Sequence, residues 1–140
     1  MQEFPHAPKQ TSPRVLIVDD DADHAEILAG LLRRRGYGIA VALSGERAVA
    51  LARLLRPDLI LLDLYMPEVD GFSTAEDLHG HPETRDVPIV FLSACGEPAT
   101  VTRAIEAGAL EYLAKPFHAA ELIACVERSL LSAGHRRPCH

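Results

Sequence analysis

The feature that most limits the fold of this chain is a regular alternation of short apolar runs with stretches of helical hydrophobic spacing. The apolar runs carry Ile, Leu and Val on both faces of an extended backbone, which is typical of strands covered by helices on each side. Repeated β-α units with right-handed crossovers place such strands in one parallel sheet. The predicted strands are residues 15–18, 38–42, 59–62, 88–92 and 111–114. We therefore predict an α/β fold, a doubly wound five-stranded parallel sheet with helices on both faces.

A helical pattern follows each predicted strand. Asp23 and Glu26 resemble a capping box at the start of the first helix, and Gly36 stops that helix. Ser44 caps the second helix and Pro57 ends it. The predicted inward face of the first helix consists of Ile27, Leu28, Leu31 and Leu32. The first helix is predicted near residues 22–35. The third, fourth and fifth helices are predicted near residues 72–80, 98–107 and 118–132.

A length of 140 residues is enough for one domain with its own hydrophobic core. We expect a flexible leader over residues 1–13, the domain over 14–132 and a flexible tail over 133–140. Cys125 lies on the apolar stripe of the last helix and is expected to be a core residue. No apolar run approaches the roughly 20 residues that span a bilayer, so we expect a cytoplasmic protein without membrane contact. A net charge of −6 argues against direct binding of nucleic acid.

Polar residues follow four of the predicted strands at the point where each strand ends. Asp19 and Asp20 follow the first strand, Asp63 the third, Ser93 the fourth and Lys115 the fifth. The C-terminal ends of parallel strands lie along one edge, and in the flavodoxin-like order 2-1-3-4-5 the first and third strands are neighbours. The three acids should therefore meet, and crowded carboxylates repel one another unless a cation joins them. Oxygen ligands of this kind suit Mg²⁺.

This arrangement suits phosphoryl transfer, which needs mainly positioning and neutralisation of charge. The Asp63 carboxylate would be the nucleophile and would form an acyl phosphate. Ser93 could donate a hydrogen bond to one phosphoryl oxygen, and Lys115 could pair with another. Only two of the fourteen Lys and Arg residues are lysines, and the other one, Lys9, lies in the expected leader. In such a chain, a position that accepted either cation would be expected to hold arginine, so a lysine at position 115 supports a specific role for its compact ammonium group.

Four motifs stand in order along the chain. Residues 15–20 have the sequence VLIVDD, residues 61–71 LLDLYMPEVDG, residues 92–94 LSA and residues 115–117 KPF. Together they resemble the receiver domain of two-component response regulators, in particular the stand-alone receivers of the chemotaxis type. The resemblance covers about residues 14–132, and no core position departs from the family's pattern.

The resemblance implies that Asp63 accepts a phosphoryl group from a phosphohistidine on a sensor histidine kinase or a histidine phosphotransfer protein. Asp20, Asp63 and the backbone carbonyl of Tyr65 would ligate Mg²⁺, and Asp19 would assist through a water molecule. Tyr65 and Cys95 would flank the route of the water that hydrolyses the acyl phosphate. A bulky Tyr65 could then slow hydrolysis.

The resemblance also implies a switch. Ser93 would move toward the phosphoryl group while Tyr112 moves inward. This movement would change the face formed by the last two helices and the fifth strand. Lys115 would contact the phosphoryl group beside a cis peptide bond to Pro116.

We expect a single-domain response regulator that has no output domain and controls an unknown downstream protein. It would not be an enzyme for external substrates. A constitutive docking module and a small Mg²⁺-dependent phosphatase are alternatives to this interpretation. A calcium loop beginning at Asp19 is excluded, because His24 and Gly30 stand where that loop needs Gly and Glu. Five histidines are scattered along the chain, and most of them are expected to be exposed: His6, His24, His79, His81 and His118.

Overall fold

A computed structural model of the chain describes residues 12–64, 71–93 and 98–136. Within these ranges, five strands alternate with five helices. The strands are β1 (Arg14–Val18), β2 (Gly38–Ala42), β3 (Leu59–Asp63), β4 (Ile89–Ser93) and β5 (Glu111–Ala114). The helices are α1 (Ala22–Arg33), α2 (Gly45–Leu55), α3 (Gly71–His79), α4 (Pro98–Glu106) and α5 (Ala119–Arg136). As far as the structure describes them, no helix combines the length and apolar composition of a bilayer-spanning segment.

The strands form one parallel sheet in the order β2-β1-β3-β4-β5. The predicted fold class and strand order are therefore confirmed. The register pairs Val18 of β1 with Leu62 of β3. It also pairs Asp63 of β3 with Leu92 of β4. The strand ends that precede the predicted site residues consequently lie side by side along one edge.

Each face of the sheet has its own hydrophobic core because successive strand residues point in opposite directions. On one face Ile60 and Leu62 pack with buried side chains of α2, α3 and α4. On the other face Leu59 and Leu61 pack with α1 and α5, where Cys125 is fully buried as predicted. Helices cover both faces, so each strand can be apolar throughout.

The N-cap and the inward face of α1 differ from the sequence prediction, whereas the start at Ala22 agrees with it. The helix is capped by Asp21, whose side chain accepts hydrogen bonds from the backbone N–H groups of Asp23 and His24. The predicted capping box at Asp23 is wrong, because Asp23 already lies inside the first turn. The predicted inward position of Ile27 is also wrong, since its side chain is 63% exposed. The buried stripe consists instead of Ala25, Leu28, Ala29 and Leu32.

The ends of the helices follow local backbone chemistry. Ser44 caps α2 as predicted, with its hydroxyl accepting from the Arg47 N–H at 3.1 Å. That helix ends at Leu55, because Arg56 takes a left-handed conformation before Pro57, a position where the helical conformation is disfavoured. Helix α5 continues to Arg136, four residues past the predicted end at 132. The expected leader and tail otherwise fall on residues 1–11 and 137–140, outside the described ranges.

Candidate functional site

Three carboxylates meet at the C-terminal edge of the sheet. Asp19 and Asp20 follow β1, Asp63 ends β3, and one carboxylate oxygen of each lies within 4.8 Å of the others. Asp19 is 2% and Asp63 6% exposed, whereas Asp20 faces solvent. The predicted convergence of the three acids is confirmed. Close, buried carboxylates repel one another, so the arrangement favours a bound cation.

The donor set is composed of oxygen atoms, which fits a hard divalent ion such as Mg²⁺. The backbone of Asp19 is fixed where it leaves the sheet, because its N–H donates to the Ala42 carbonyl at 3.0 Å. Asp20 provides the exposed side of the cluster. The site therefore opens to solvent on one side, as an ion that retains water ligands requires.

Lys115 supplies a positive charge next to the cluster. Its Nζ lies 3.2 Å from Asp63 Oδ2 and the two groups form a partly buried ion pair. The backbone N–H of Lys115 donates to the Ser93 carbonyl at 2.8 Å, which extends the pairing of β5 with β4. The Lys115–Pro116 peptide bond is cis, as the resemblance to receiver domains implied. The predicted proximity of Lys115 and Asp63 is thus confirmed.

The two predicted switch residues lie on β4 and β5. Ser93 is fully buried at the end of β4, directly after Leu92, the residue that pairs with Asp63. Tyr112 pairs with Phe91 and packs, half-buried, against the core on the α2–α4 side. Both residues therefore lie on the strands that follow β3, the strand of Asp63, in the sheet.

Gly71 supports the backbone of the site, a role that sequence reasoning missed. Its N–H donates to the Leu64 carbonyl at 2.7 Å. A Cβ at this position would lie 2.8 Å from both the Asp63 carbonyl oxygen and the Leu64 Cα. Only glycine fits this approach without movement of the backbone. In the sequence, Gly71 appears only as the last residue of the motif at residues 61–71.

His24 is a second residue that sequence reasoning missed. Its Nδ1 lies 2.5 Å from Asp19 Oδ2, and its side chain is 31% exposed. In the sequence, His24 is only one of several scattered histidines, and no contact with the acids was predicted for it. Tyr65 and Cys95, which were predicted to shape the site, lie outside the described residues.

A polar cluster on the opposite side of the sheet is separate from this site. Arg128 of α5 binds the Glu111 carboxylate through two hydrogen bonds of 2.8 and 3.1 Å. These bonds lower the pKa of Glu111. The buried Cys125 thiol donates to the same carboxylate, and burial, followed by the Glu111 charge, raises its pKa to about 11. This thiol is therefore a protonated core group at neutral pH.

Comparison with known proteins gives a consistent family match. The model of the response regulator receiver domain family matches residues 15–127. The master transcriptional regulator RpaA of Synechocystis, described as DNA-binding, is 40% identical over 126 residues, which cover 90% of this chain and 52% of RpaA. The transcriptional regulatory protein PrrA of Mycobacterium tuberculosis is 44% identical over 124 residues, 89% of this chain and 52% of PrrA. The chain thus spans about half the length of these curated relatives.

Solved structures agree in fold. A putative response regulator from Chloroflexus aurantiacus superposes with a TM-score of 0.81 at 38% identity, over 86% of this chain and 99% of the other. A second solved structure is the receiver domain of the sensor histidine kinase PA1611 from Pseudomonas aeruginosa, which has a magnesium ion in its active-site cleft. It superposes with a TM-score of 0.78 at 32% identity, over 86% of this chain and 98% of the other. A CheY-like receiver from Methanospirillum hungatei superposes with a TM-score of 0.84 over 91% of this chain and 100% of the other. At 21% identity this likeness concerns the fold alone.

Proposed function

The chain belongs to the response regulator receiver domain family, and we propose that it is a signalling module switched by phosphorylation of Asp63. The observation that carries this proposal is the environment of the Asp63 carboxylate, which has an ammonium group 3.2 Å away and two further acids within 4.8 Å. The donor would be a phosphohistidine of a sensor histidine kinase or of a histidine phosphotransfer protein.

We propose that Asp20 and Asp63, with the backbone carbonyl of Tyr65, hold Mg²⁺, while Asp19 acts through a water molecule. The oxygen-only donor set of the three acids supports this assignment. When bound, the ion would neutralise negative charge on the phosphoryl oxygens. Lys115 would add a second cation on the other side of Asp63.

In the transfer step, one Asp63 carboxylate oxygen attacks phosphorus. The new P–O bond forms as the P–N bond to the donor histidine breaks, and the bond's electron pair returns to the donor imidazole, which leaves neutral after taking up a proton. Lys115, whose Nζ lies 3.2 Å from Asp63 Oδ2, and the Ser93 hydroxyl would bind phosphoryl oxygens. Hydrolysis by water later restores the Asp63 carboxylate and releases inorganic phosphate. The domain would catalyse only these reactions of its own aspartate.

The output of the switch is proposed to pass through β5 and its neighbouring helices. Ser93 and Tyr112 lie on adjacent strands, so a shift of the Ser93 hydroxyl toward the phosphoryl group would change the packing beside Tyr112. We propose that a protein surface, rather than DNA, recognises this change, because a net charge of −6 disfavours direct contact with phosphates of nucleic acid.

The test is phosphorylation by a small phosphodonor, acetyl phosphate, with Mg²⁺, followed by intact-protein mass spectrometry. We expect the wild type to gain one phosphoryl group and Asp63→Asn to gain none. Asp58→Asn is the matched control, because Asp58 lies before the other end of β3, where its carboxylate accepts from the Arg14 N–H at 2.8 Å. This variant should be phosphorylated like the wild type. Phosphorylation of Asp63→Asn would refute the assignment.

A further inference from the structure

The Asp19 carboxylate is held from two directions by groups of the chain. Its Oδ1 accepts the backbone N–H of Asp21 at 2.9 Å. Its Oδ2 contacts the His24 Nδ1 at 2.5 Å. Since Asp19 is 2% exposed, bulk water cannot replace either donor easily. The side chain that borders the ion site thus has an orientation set by two hydrogen bonds.

His24 reaches Asp19 because of its place in α1. Asp21 is the N-cap, so His24 is the third residue of the helix. A side chain at that position lies beside the residues that precede the helix, as in a capping box. Here the side chain extends past the cap to the end of β1. An ionised carboxylate can accept hydrogen bonds but cannot donate them, so in the contact with ionised Asp19 the donor is the His24 Nδ1–H group.

We propose that His24 is a positioning residue for the divalent-ion site, which acts by fixing the Asp19 carboxylate. This inference rests on the proposed ion binding by the three acids but not on phosphorylation of Asp63. An ionised carboxylate has about four acceptor positions, so Asp19 can accept from Asp21 and His24 and still bind a water molecule of the ion. Groups that orient metal-site carboxylates typically contribute 10- to 100-fold to metal affinity.

Loss of the imidazole would leave Oδ2 without its donor next to two other acids. The carboxylate would then be held by the Asp21 N–H alone and would rotate more easily about its Cβ–Cγ bond, so the ion would have to restore the orientation when it binds. His24 also places the polar edge of its ring against a negative cluster, so its removal lowers the number of hydrogen-bond donors around Asp19 from two to one.

The test is the Mg²⁺ dissociation constant of the full chain without phosphodonor, measured by isothermal titration calorimetry at one fixed pH. We expect His24→Leu to raise it about tenfold. His24→Asn should remain within about threefold of the wild type, because the Asn amide nitrogen can take the place of Nδ1 as donor. His118→Leu, at an exposed position before α5, is the control for removing a histidine elsewhere and should bind like the wild type.

The inference is overturned if His24→Leu binds Mg²⁺ as tightly as the wild type, or if His24→Asn is as impaired as His24→Leu. His24→Ala serves as a second variant with the same expected result as His24→Leu. Urea unfolding without Mg²⁺ verifies that each variant is folded. Because the assay contains no phosphodonor, a negative result leaves the phosphorylation of Asp63 unaffected. Conversely, failure of Asp63 to accept phosphate leaves the ion measurement interpretable.

Discussion

Lys115 Nζ lies 3.2 Å from Asp63 Oδ2, although 52 positions separate the two residues in the chain. Asp63 ends β3 and Lys115 follows β5, so β4 lies between the strands that supply them. The long lysine side chain extends across the end of β4 to reach the acid. A compact ammonium group at the end of a flexible stem suits this span.

Removal of this ammonium group is expected to strengthen Mg²⁺ binding. Lys115→Met takes a positive charge from beside three acids, which makes the site more negative, and the Mg²⁺ dissociation constant should fall roughly tenfold. Lys115→Arg keeps the charge and should stay within about threefold of the wild type. Calorimetric titration of both variants with Mg²⁺ measures the difference. Unchanged binding in Lys115→Met would show that the ion pair does not act on the ion site.

Gly71→Ala is expected to destabilise the protein by about 1–3 kcal/mol, the usual cost of overpacking. The added methyl group would lie 2.8 Å from the Asp63 carbonyl oxygen, so the backbone at the end of β3 must move. Urea unfolding measures the change in the free energy of unfolding.

Gly30→Ala is the matched control for this prediction. Apart from its chain neighbours and the backbone of its own helix, no atom of the described residues lies within 4 Å of a Cβ at Gly30, which is inside α1. The same change should therefore stabilise the protein by about 0.5–1 kcal/mol, since alanine favours a helix over glycine. If both variants have the same stability, the close approach at Gly71 has no energetic effect.

The cap of α1 gives a third prediction. Asp21→Ala removes a side chain that accepts two backbone N–H groups, and we expect a loss of about 1 kcal/mol in the free energy of unfolding. Asp23→Ala removes only a charge near the helix N-terminus and should cost about 0.5 kcal/mol or less. Both are measured by urea unfolding without Mg²⁺. If Asp23→Ala lost more stability than Asp21→Ala, the result would support the capping box predicted from the sequence.

The buried Cys125 thiol predicts a dependence of stability on alkaline pH. Burial raises the pKa of this thiol from 9.0 to about 11 in the folded protein. As the pH rises, the unfolded chain therefore loses this proton first. The contribution of the thiol to stability is complete below pH 9 and is lost as the pH rises through the folded pKa, near 11.

The measurement is the free energy of unfolding of the wild type and of Cys125→Ala between pH 7 and 11, in the presence of a reductant. The wild type should lose more stability above pH 9 than the variant, which has no thiol at this position. All other titrating groups are shared by the two proteins. Parallel curves would mean that the thiol ionises alike in the folded and unfolded states.

The parallel sheet and the shared edge of the site residues were predictable because both follow from local rules, whereas the order 2-1-3-4-5 was adopted from the flavodoxin-like fold. Apolar runs with few polar interruptions indicated buried parallel strands, and the residues after those runs had to share one edge. Asp19, Asp20 and Asp63 therefore came together without knowledge of any loop. Lys115 followed from the same rule, since its strand ends at the same edge.

The parts that sequence reasoning missed depend on close tertiary approach. Periodicity alone placed Ile27 inward, but the small side chains of Ala25 and Ala29 allow α1 to lie against the sheet on a different stripe. The contact of His24 with Asp19 depends on Asp21 being the N-cap of α1, whereas the sequence prediction placed a capping box at Asp23. The role of Gly71 arises from a backbone crossing that no local pattern reports.

The placement of β4 between the strands of Asp63 and Lys115 has a consequence for fragments of the chain. A piece that ended before β5 would keep all three acids but would have no ammonium group to balance them. Under the proposed function, phosphorylation of Asp63 would thus require that the sheet has assembled as far as β5. A domain cut before β5 would then be expected to lose phosphorylation altogether rather than in part.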